Sequence, residues 1–235
     1  MVRRSGGQSR RVNSVNCVSS GRFKLEAKVE RCEALFRQWQ QRSVFRITPL
    51  AEPELDDLLA KRGYILEAPT SVQTSEVRDS GRDPLIQLCD RFDPDWVQVS
   101  AKFRQLDPEE ARVLALQHAA IAVPSVWATA VVDGQVAGVG VAAIERGWVG
   151  IHGIYVSKDF RRRGLARQIS VSLVSEGYRQ GAELAWLQVE AGNVAALSLY
   201  SLIGFQTQYE YHHRVKGDAE RHGSPETNAT RSLTP

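Results

Sequence analysis

Six consecutive residues, Arg161-Arg162-Arg163-Gly164-Leu165-Ala166, have the types and spacing that hold a phosphate. The first turn of a helix carries backbone N–H groups without partners and a positive partial charge, and a glycine there lets an anion approach them. Arg161, Arg162, Arg163 and, further on, Arg167 can add charge-assisted bonds to phosphate oxygens, bidentate ones included. A plainer reading stands on the same residues: three arginines ahead of a helix form a solvated cluster, and Gly164 is an ordinary loop glycine.

A loop of this kind works only between a strand and a helix that aim it. Upstream, Trp148–Val156 is short, β-branched and aromatic, and is closed by the polar Ser157-Lys158-Asp159, the pattern of a mostly buried strand. Downstream, Leu165, Ile169 and Leu173 recur at spacing four with polar residues between them, the pattern of an amphipathic helix. Residues 127–132 and 136–144 form two earlier strands around Asp133-Gly134-Gln135, a hairpin turn of the kind an Asp-Gly pair builds, and Glu145-Arg146-Gly147 joins the third. Gly138 and Gly140 lie inside a strand and precede no helix, so they mark a bulge or close packing rather than a dinucleotide loop. After Gly181, residues 184–189 read as a strand. Asn193 then caps a helix with Ala196, Leu199, Tyr200 and Ile203 on one face, Gly204 ends it, and 205–215 form a last strand or hairpin.

Ahead of this half, residues 10–18 alternate like a short strand, and 24–42 run without Gly or Pro, with Leu25, Val29, Cys32 and Phe36 at helical spacing. Val44–Ile47 reads as a strand, a helix starts near Pro53 and stops at Gly63, and 64–68 return to extended structure. Residues 74–91 are polar, contain Gly81 and Pro84, and read as a linker; helices follow over 94–106 and 108–122, the second with Asp107 as its cap. The expected organisation is a disordered arm over 1–9, an α/β domain with linker over 10–91, a second domain over 92–216 and a disordered tail over 217–235.

The 235 residues are 43% hydrophobic and 24% charged, which suits a packed globular protein, and the net charge of +3 permits an anionic ligand without calling for nucleic acid. Arg3, Arg4, Arg10 and Arg11 read as a solvated arm, and His212-His213 as strand surface without partners at metal-ligand spacing. Cys17, Cys32 and Cys89 are odd in number and form no CxxC pair, which fits a reducing cytoplasm and suggests neither a disulfide framework nor a zinc site. No stretch approaches the ~18 apolar residues of a membrane helix, and no secretory signal opens the chain.

Arg161-x-x-Gly164-x-Ala166, followed by Asn193-x-x-Ala196-x-x-Leu199-Tyr200-x-x-x-Gly204-Phe205, resembles the GNAT superfamily of acyl-CoA-dependent N-acetyltransferases over roughly residues 106–215. The resemblance implies an α/β fold with a central, twisted, mixed sheet flanked by helices, and acetyl-CoA as cosubstrate with no metal. Its implied binding set is Ile154, Tyr155, Val156, Arg161, Arg162, Arg163, Gly164, Leu165, Ala166, Arg167, Asn193 and Tyr200. The sheet would splay so that the pantetheine arm lies between the strands ending at Val156 and Val189, with the acyl oxygen on a backbone amide near Tyr155 or Val156. A primary amine would attack the thioester directly, and Tyr200 occupies the family position for the acid that protonates the leaving thiolate. His152 matches the place where arylalkylamine acetyltransferases carry a histidine that helps deprotonate the amine. Ribosomal-protein alanine acetyltransferases carry a glutamate base where this chain has Gln188, which cannot take a proton, so Glu190 and Glu145 stand as fallback bases. Small amines, amino acids, peptide N-termini and protein lysines are all open as acceptors. A non-catalytic acyl-CoA-binding regulatory module is the alternative.

The first half repeats the order of the second. Strand, long helix, strand, short helix, glycine, aromatic and strand recur, with Leu58-Leu59-x-x-x-Gly63-Tyr64 echoing Leu199-Tyr200-x-x-x-Gly204-Phe205. Only Ser19-Ser20-Gly21-Arg22 stands where the arginine-glycine loop would be. The reading is a degenerate second copy of the fold, without cofactor binding, that shapes the substrate cleft; an unrelated α/β extension is the alternative.

Overall fold

Two tight turns build the centre of the fold. In the computed structural model, which describes residues 1–5, 9–18 and 23–217, Asp133 and Gly134 have φ of 50° and 74°, and Arg146 and Gly147 have 52° and 78°. Positive φ at both central residues matches the twist of the flanking strands, so β5 (Ser125–Val132), β6 (Gln135–Glu145) and β7 (Trp148–Val156) form a meander. Its outer edge is β4 (Ile86–Cys89), a strand inside the stretch expected to be linker; only Ile86 of it is buried, too little apolar pattern to read from sequence.

From β7 the chain passes through a 3-10 turn, Lys158–Phe160, into α5 (Leu165–Arg179), and returns as β8 (Leu184–Glu190), parallel to β7. Leu165, Ile169 and Leu173 face the sheet as their spacing requires. A Cβ on Gly177 would stand 2.6 Å from Val149, so a glycine is needed where the helix crosses the strand. α6 (Val194–Leu202) and β9 (Gln206–Lys216) complete this half. Between β4 and β5, α3 (Pro94–Arg104) and α4 (Pro108–Ala119) cover the opposite face of the meander, their Trp96, Val97 and Leu114 clustering with Trp127 of β5. Asp107 caps α4 in a reciprocal capping box with Glu110.

The N-terminal half runs β1 (Val15–Asn16), α1 (Leu25–Gln38), β2 (Val44–Ile47), α2 (Pro53–Lys61) and β3 (Tyr64–Glu76). Where a strand over 10–18 is expected, Arg10–Val12 is a 3-10 turn and only two residues pair with β2. Residues 1–5, expected in a disordered arm, lie against β1: Val2 bridges Val15 and the Arg3 N–H donates to the Ser14 carbonyl at 3.0 Å. β3 runs well past residue 68, because Pro69 sits in a register shift between Glu67 and Thr70 where its missing N–H breaks no ladder. Residues 19–22 and the tail from 218 onward lie outside the described residues.

The nine strands of the described residues belong to one sheet in the order β1-β2-β9-β3-β8-β7-β6-β5-β4. A boundary at residues 91 and 92 therefore runs through a single sheet: β3 of the first half lies between β8 and β9 of the second, antiparallel to both. The segment β1-β2-β9-β3-β8-β7 also reads unchanged when β1, β2 and β3 are exchanged with β7, β8 and β9 and the direction is reversed. Gly63 and Gly204, with φ of 80° and 96°, precede the buried aromatics Tyr64 and Phe205 at matching points of the two halves.

Candidate active site

The sheet opens between β7 and β8. Their parallel pairing covers Trp148, Val149 and Gly150 against Leu184, Ala185 and Trp186, and stops there. The cause lies on the other edge of β7. Between the pairs Val139–Tyr155 and Val141–His152 the register slips at Gly153, whose φ is +60°, and the bulge bends the strand. Gly140 lies opposite, where a Cβ would come within 2.6 Å of Ile154 Cδ1 and 2.7 Å of Ile169 Cγ2. The bulge also reverses the alternation. Ile151, Ile154 and Val156 enter the core beneath α5, whereas Tyr155 packs with α3 and α4. His152 and Val156, four residues apart and so on one face of an unbroken strand, are therefore on opposite faces.

This geometry leaves a donor in the gap. The Ser157 N–H donates to the Ala137 carbonyl at 2.9 Å, so by antiparallel alternation Val156, paired with Gly138, is a non-hydrogen-bonded position whose N–H points away from β6. The loop that follows is tied back by Arg161, whose Nε donates to the Val156 carbonyl at 3.3 Å. Gly164, with φ of 78°, is the N-cap of α5; no side chain caps the helix and no acidic residue stands in its first turn. The first N–H groups of α5 thus face an open cradle, since a Cβ at Gly164 would meet nothing within 4 Å. These are the features a diphosphate requires.

A cavity of about 690 Å³ extends from this cradle along the gap. Ile154, Tyr155, Val156, Arg161, Arg162, Gly164, Leu165, Ala166, Arg167, Asn193 and Tyr200 all line it. Arg163 does not; its guanidinium lies over the Phe160 ring at 5.3 Å. Asn193 holds α6 in place, its Oδ1 accepting the Ala196 N–H at 3.1 Å. Tyr200 packs edge-on against Phe205 with ring centroids 5.9 Å apart, burial pushes its phenol pKa up, and its hydroxyl has no hydrogen bond among the described residues.

A second cavity, of about 300 Å³, meets the first from the other face of the sheet and shares Ile154, Asn193, Ala196 and Tyr200 with it. Its further walls include His152, Gln188, Glu190 and Arg11. His152 stacks edge-on against Trp186 at 4.9 Å; burial first, then the Arg11 charge and His118, push its pKa down to about 4. It is neutral at physiological pH. Gln188 Oε1 accepts the Tyr211 hydroxyl at 2.8 Å, so its carboxamide serves the framework. Glu145 is not among the residues lining either cavity; it pairs with Arg146 beside the turn, at the far end of β7, and is no base for this site.

Two further expectations are corrected here. Arg10 is bonded to Glu67, Arg11 reaches the second cavity, and Arg4 lies over Trp39, so these three arginines have partners on the fold, although Arg4 and Arg10 stay exposed. His213 is only 2% exposed, and His212 bonds Asp56 at 2.8 Å. Arg11 and Arg46 were not legible as site residues, because their positions depend on pairing between the two halves.

The family described as "Probable histone acetyltransferase Rv0428c C-terminal" matches residues 1–216. The chain belongs to this family of acetyltransferases. Among relatives of this chain, the "Uncharacterized N-acetyltransferase YobR" of Bacillus subtilis is 36% identical over 77 residues, 33% of this chain and 31% of that protein. The "[Ribosomal protein bS18]-alanine N-acetyltransferase" of Salmonella typhimurium is 44% identical over 52 residues, 22% of this chain and 35% of that protein. The matches thus span about a third of the length of these curated relatives. A solved GCN5-related N-acetyltransferase from Kribbella flavida superposes with a TM-score of 0.63 at 15% identity, over 87% of this chain and 79% of that one. The fold is that of the GNAT acetyltransferases, a mixed sheet flanked by helices.

Proposed function

We propose that the chain transfers an acetyl group from acetyl-CoA to a primary amine by direct attack. The observation that carries this reading is the meeting of two cavities, from opposite faces of the sheet, at Tyr200 beside the free Val156 amide. The diphosphate would lie on the first turn of α5 and on Arg161, Arg162 and Arg167, and the thioester would lie in the gap. Arg163, turned onto Phe160, serves the loop's conformation.

The amine enters from the His152 side. A histidine held near 4 cannot take a proton from an ammonium of pKa about 9, a gap of about 5 units or roughly 7 kcal/mol, so the amine reacts as the neutral fraction and His152 accepts one of its N–H bonds. The nitrogen lone pair forms the new N–C bond, the carbonyl oxygen gains charge against the Val156 N–H, and the C–S bond breaks. The excess nitrogen proton leaves to water past Glu190 at the cavity edge, the Tyr200 hydroxyl donates a hydrogen bond to the charge growing on sulfur, and the departing thiolate takes its proton from solvent.

Thiol release measured across a panel of primary amines tests the proposal. Turnover on some amine is the expected result, and CoA binding without turnover on any of them would favour a non-catalytic acyl-CoA-binding module. That second reading draws on the neutral His152 and the occupied Gln188. The same proposal takes residues 10–76 as a degenerate copy of the catalytic half that closes the acceptor side, supported by the reversible strand order. A photoreactive CoA analogue should then label peptides of the 158–167 loop and none within 10–76.

A further inference from the structure

The wall of the second cavity that comes from the first half carries positive charge, and the carboxylate among the cavity's lining residues, Glu190, comes from β8 and forms no ion pair among the described residues. Arg11 lines the cavity, half-buried, and no described residue forms an ion pair with it. Arg46, on β2, is only 9% exposed; its guanidinium lies 3.7 Å from the centre of the Tyr211 ring, and its Nε is buried without a hydrogen-bond partner. The Tyr211 hydroxyl reaches Gln188, a wall residue of the cavity, so the Arg46 charge sits behind that wall. His213, opposite Arg46 in the strand register, is buried with neither ring nitrogen bonded. Glu67, which like Arg46 lies opposite His213 in the strand register, is taken by Arg10, which leaves Glu190 as the acid that shares the cavity with Arg11. A guanidinium withdrawn from water is costly unless an anion completes it, and a cationic wall repels a lysine-rich acceptor.

We infer that the acceptor amine carries a carboxylate, held between Arg11 and the charge of Arg46 while its nitrogen faces His152 and the gap. The inference rests on the acetyl-transfer reading and narrows its acceptor to free amino acids and similar small amino-carboxylates. A cavity of about 300 Å³ suits such a molecule. Arg11 is a direct binding residue; Arg46, acting across Tyr211, is a positioning residue that keeps the wall cationic.

The test compares thiol release for matched pairs, alanine with ethylamine, leucine with isopentylamine and phenylalanine with phenethylamine, together with phosphoethanolamine and a lysine-rich peptide. Each pair is compared at equal concentrations of neutral amine, because loss of the carboxylate changes the nitrogen's own pKa. The expected result is a kcat/KM about tenfold to a hundredfold higher for the carboxylate member, the worth of one charge-assisted contact. Arg11→Gln should bring that ratio near one through KM with acetyl-CoA affinity unchanged, and Arg11→Lys should restore part of it. Arg46→Met should lower the ratio in the same direction; if it does not fold, Arg11→Gln decides alone. A parent ratio near one, a preference for phosphoethanolamine or the lysine-rich peptide, or an unchanged ratio in Arg11→Gln would each overturn the inference while leaving acetyl transfer intact. Should no amine turn over, acetyl transfer fails, and calorimetry of phenylalanine against the CoA complex decides the inference: binding lost in Arg11→Gln sustains it, and no binding in the parent overturns it.

Discussion

Replacing Tyr200 by Phe removes one oxygen from the point where the two cavities meet. Because that hydroxyl has no hydrogen bond among the described residues, its loss leaves no buried partner stranded, and the edge-on contact with Phe205 is kept. Stability should therefore move by less than about 0.5 kcal/mol, the range of changes that break no such feature. The catalytic effect follows from the phenol's acidity. An ordinary thiol has a pKa near ~8.5 and burial pushes the Tyr200 phenol above its usual 10, so complete proton transfer to the thiolate runs uphill. Tyr200 accordingly acts chiefly as a donor to the charge growing on sulfur, a bond to a charged group worth about 1.5–3 kcal/mol. The expected fall in kcat is about 10- to 150-fold, below the upper range for full general-acid catalysis. Thiol release at saturating amine and acetyl-CoA measures kcat, and calorimetry measures acetyl-CoA affinity, which should stay within about twofold of the parent. A Tyr200→Phe protein with the parent's kcat, or one whose defect lies wholly in acetyl-CoA affinity, would refute the assignment.

Gly164→Val places a β-branched residue at φ of 78° and puts a side chain into the cradle, so acetyl-CoA affinity should fall at least ~100-fold by calorimetry, the worth of two lost charge-assisted bonds. Gly140→Ala brings a Cβ to within 2.6 Å of Ile154 and 2.7 Å of Ile169, and a loss of about 1–3 kcal/mol in denaturant unfolding is expected from overpacking at the bulge. Acid should destabilise the fold early. Burial holds His118, His152 and His213 near 4 against an ordinary 6.5, so the unfolded chain binds protons that the folded one refuses; stability present above 6.5 is lost as pH falls toward 4, by up to ~2 kcal/mol per histidine at pH 5. Unfolding midpoints that stay level between pH 7 and pH 5 would contradict that account.

The parts of this site that are local in sequence were legible. The arginine-glycine loop sits between a strand and an amphipathic helix, and Asn193 and Gly204 bound α6, because caps and periodicity are set by neighbours a few residues away. The parts that depend on distant pairing were not. Nothing in Gly153 alone announces the bulge that puts His152 and Val156 on opposite faces, since that slip is defined against β6. The extended stretch expected over 64–68 stops short of Pro69, yet the strand continues because β8 and β9 flank it on both sides. Arg11 read as part of a polar arm; only the fold of the N-terminal segment over the sheet brings it to the cavity that His152 lines.

Calorimetric titration of acetyl-CoA beside acetylpantetheine, which keeps the thioester and lacks the diphosphate, addresses the central claim most directly. If the first turn of α5 and its arginines grip the diphosphate, acetyl-CoA binds with measurable heat, its affinity falls as salt rises, and acetylpantetheine binds at least ~100-fold more weakly. Equal affinity for the two compounds, or no heat with acetyl-CoA, would contradict the account.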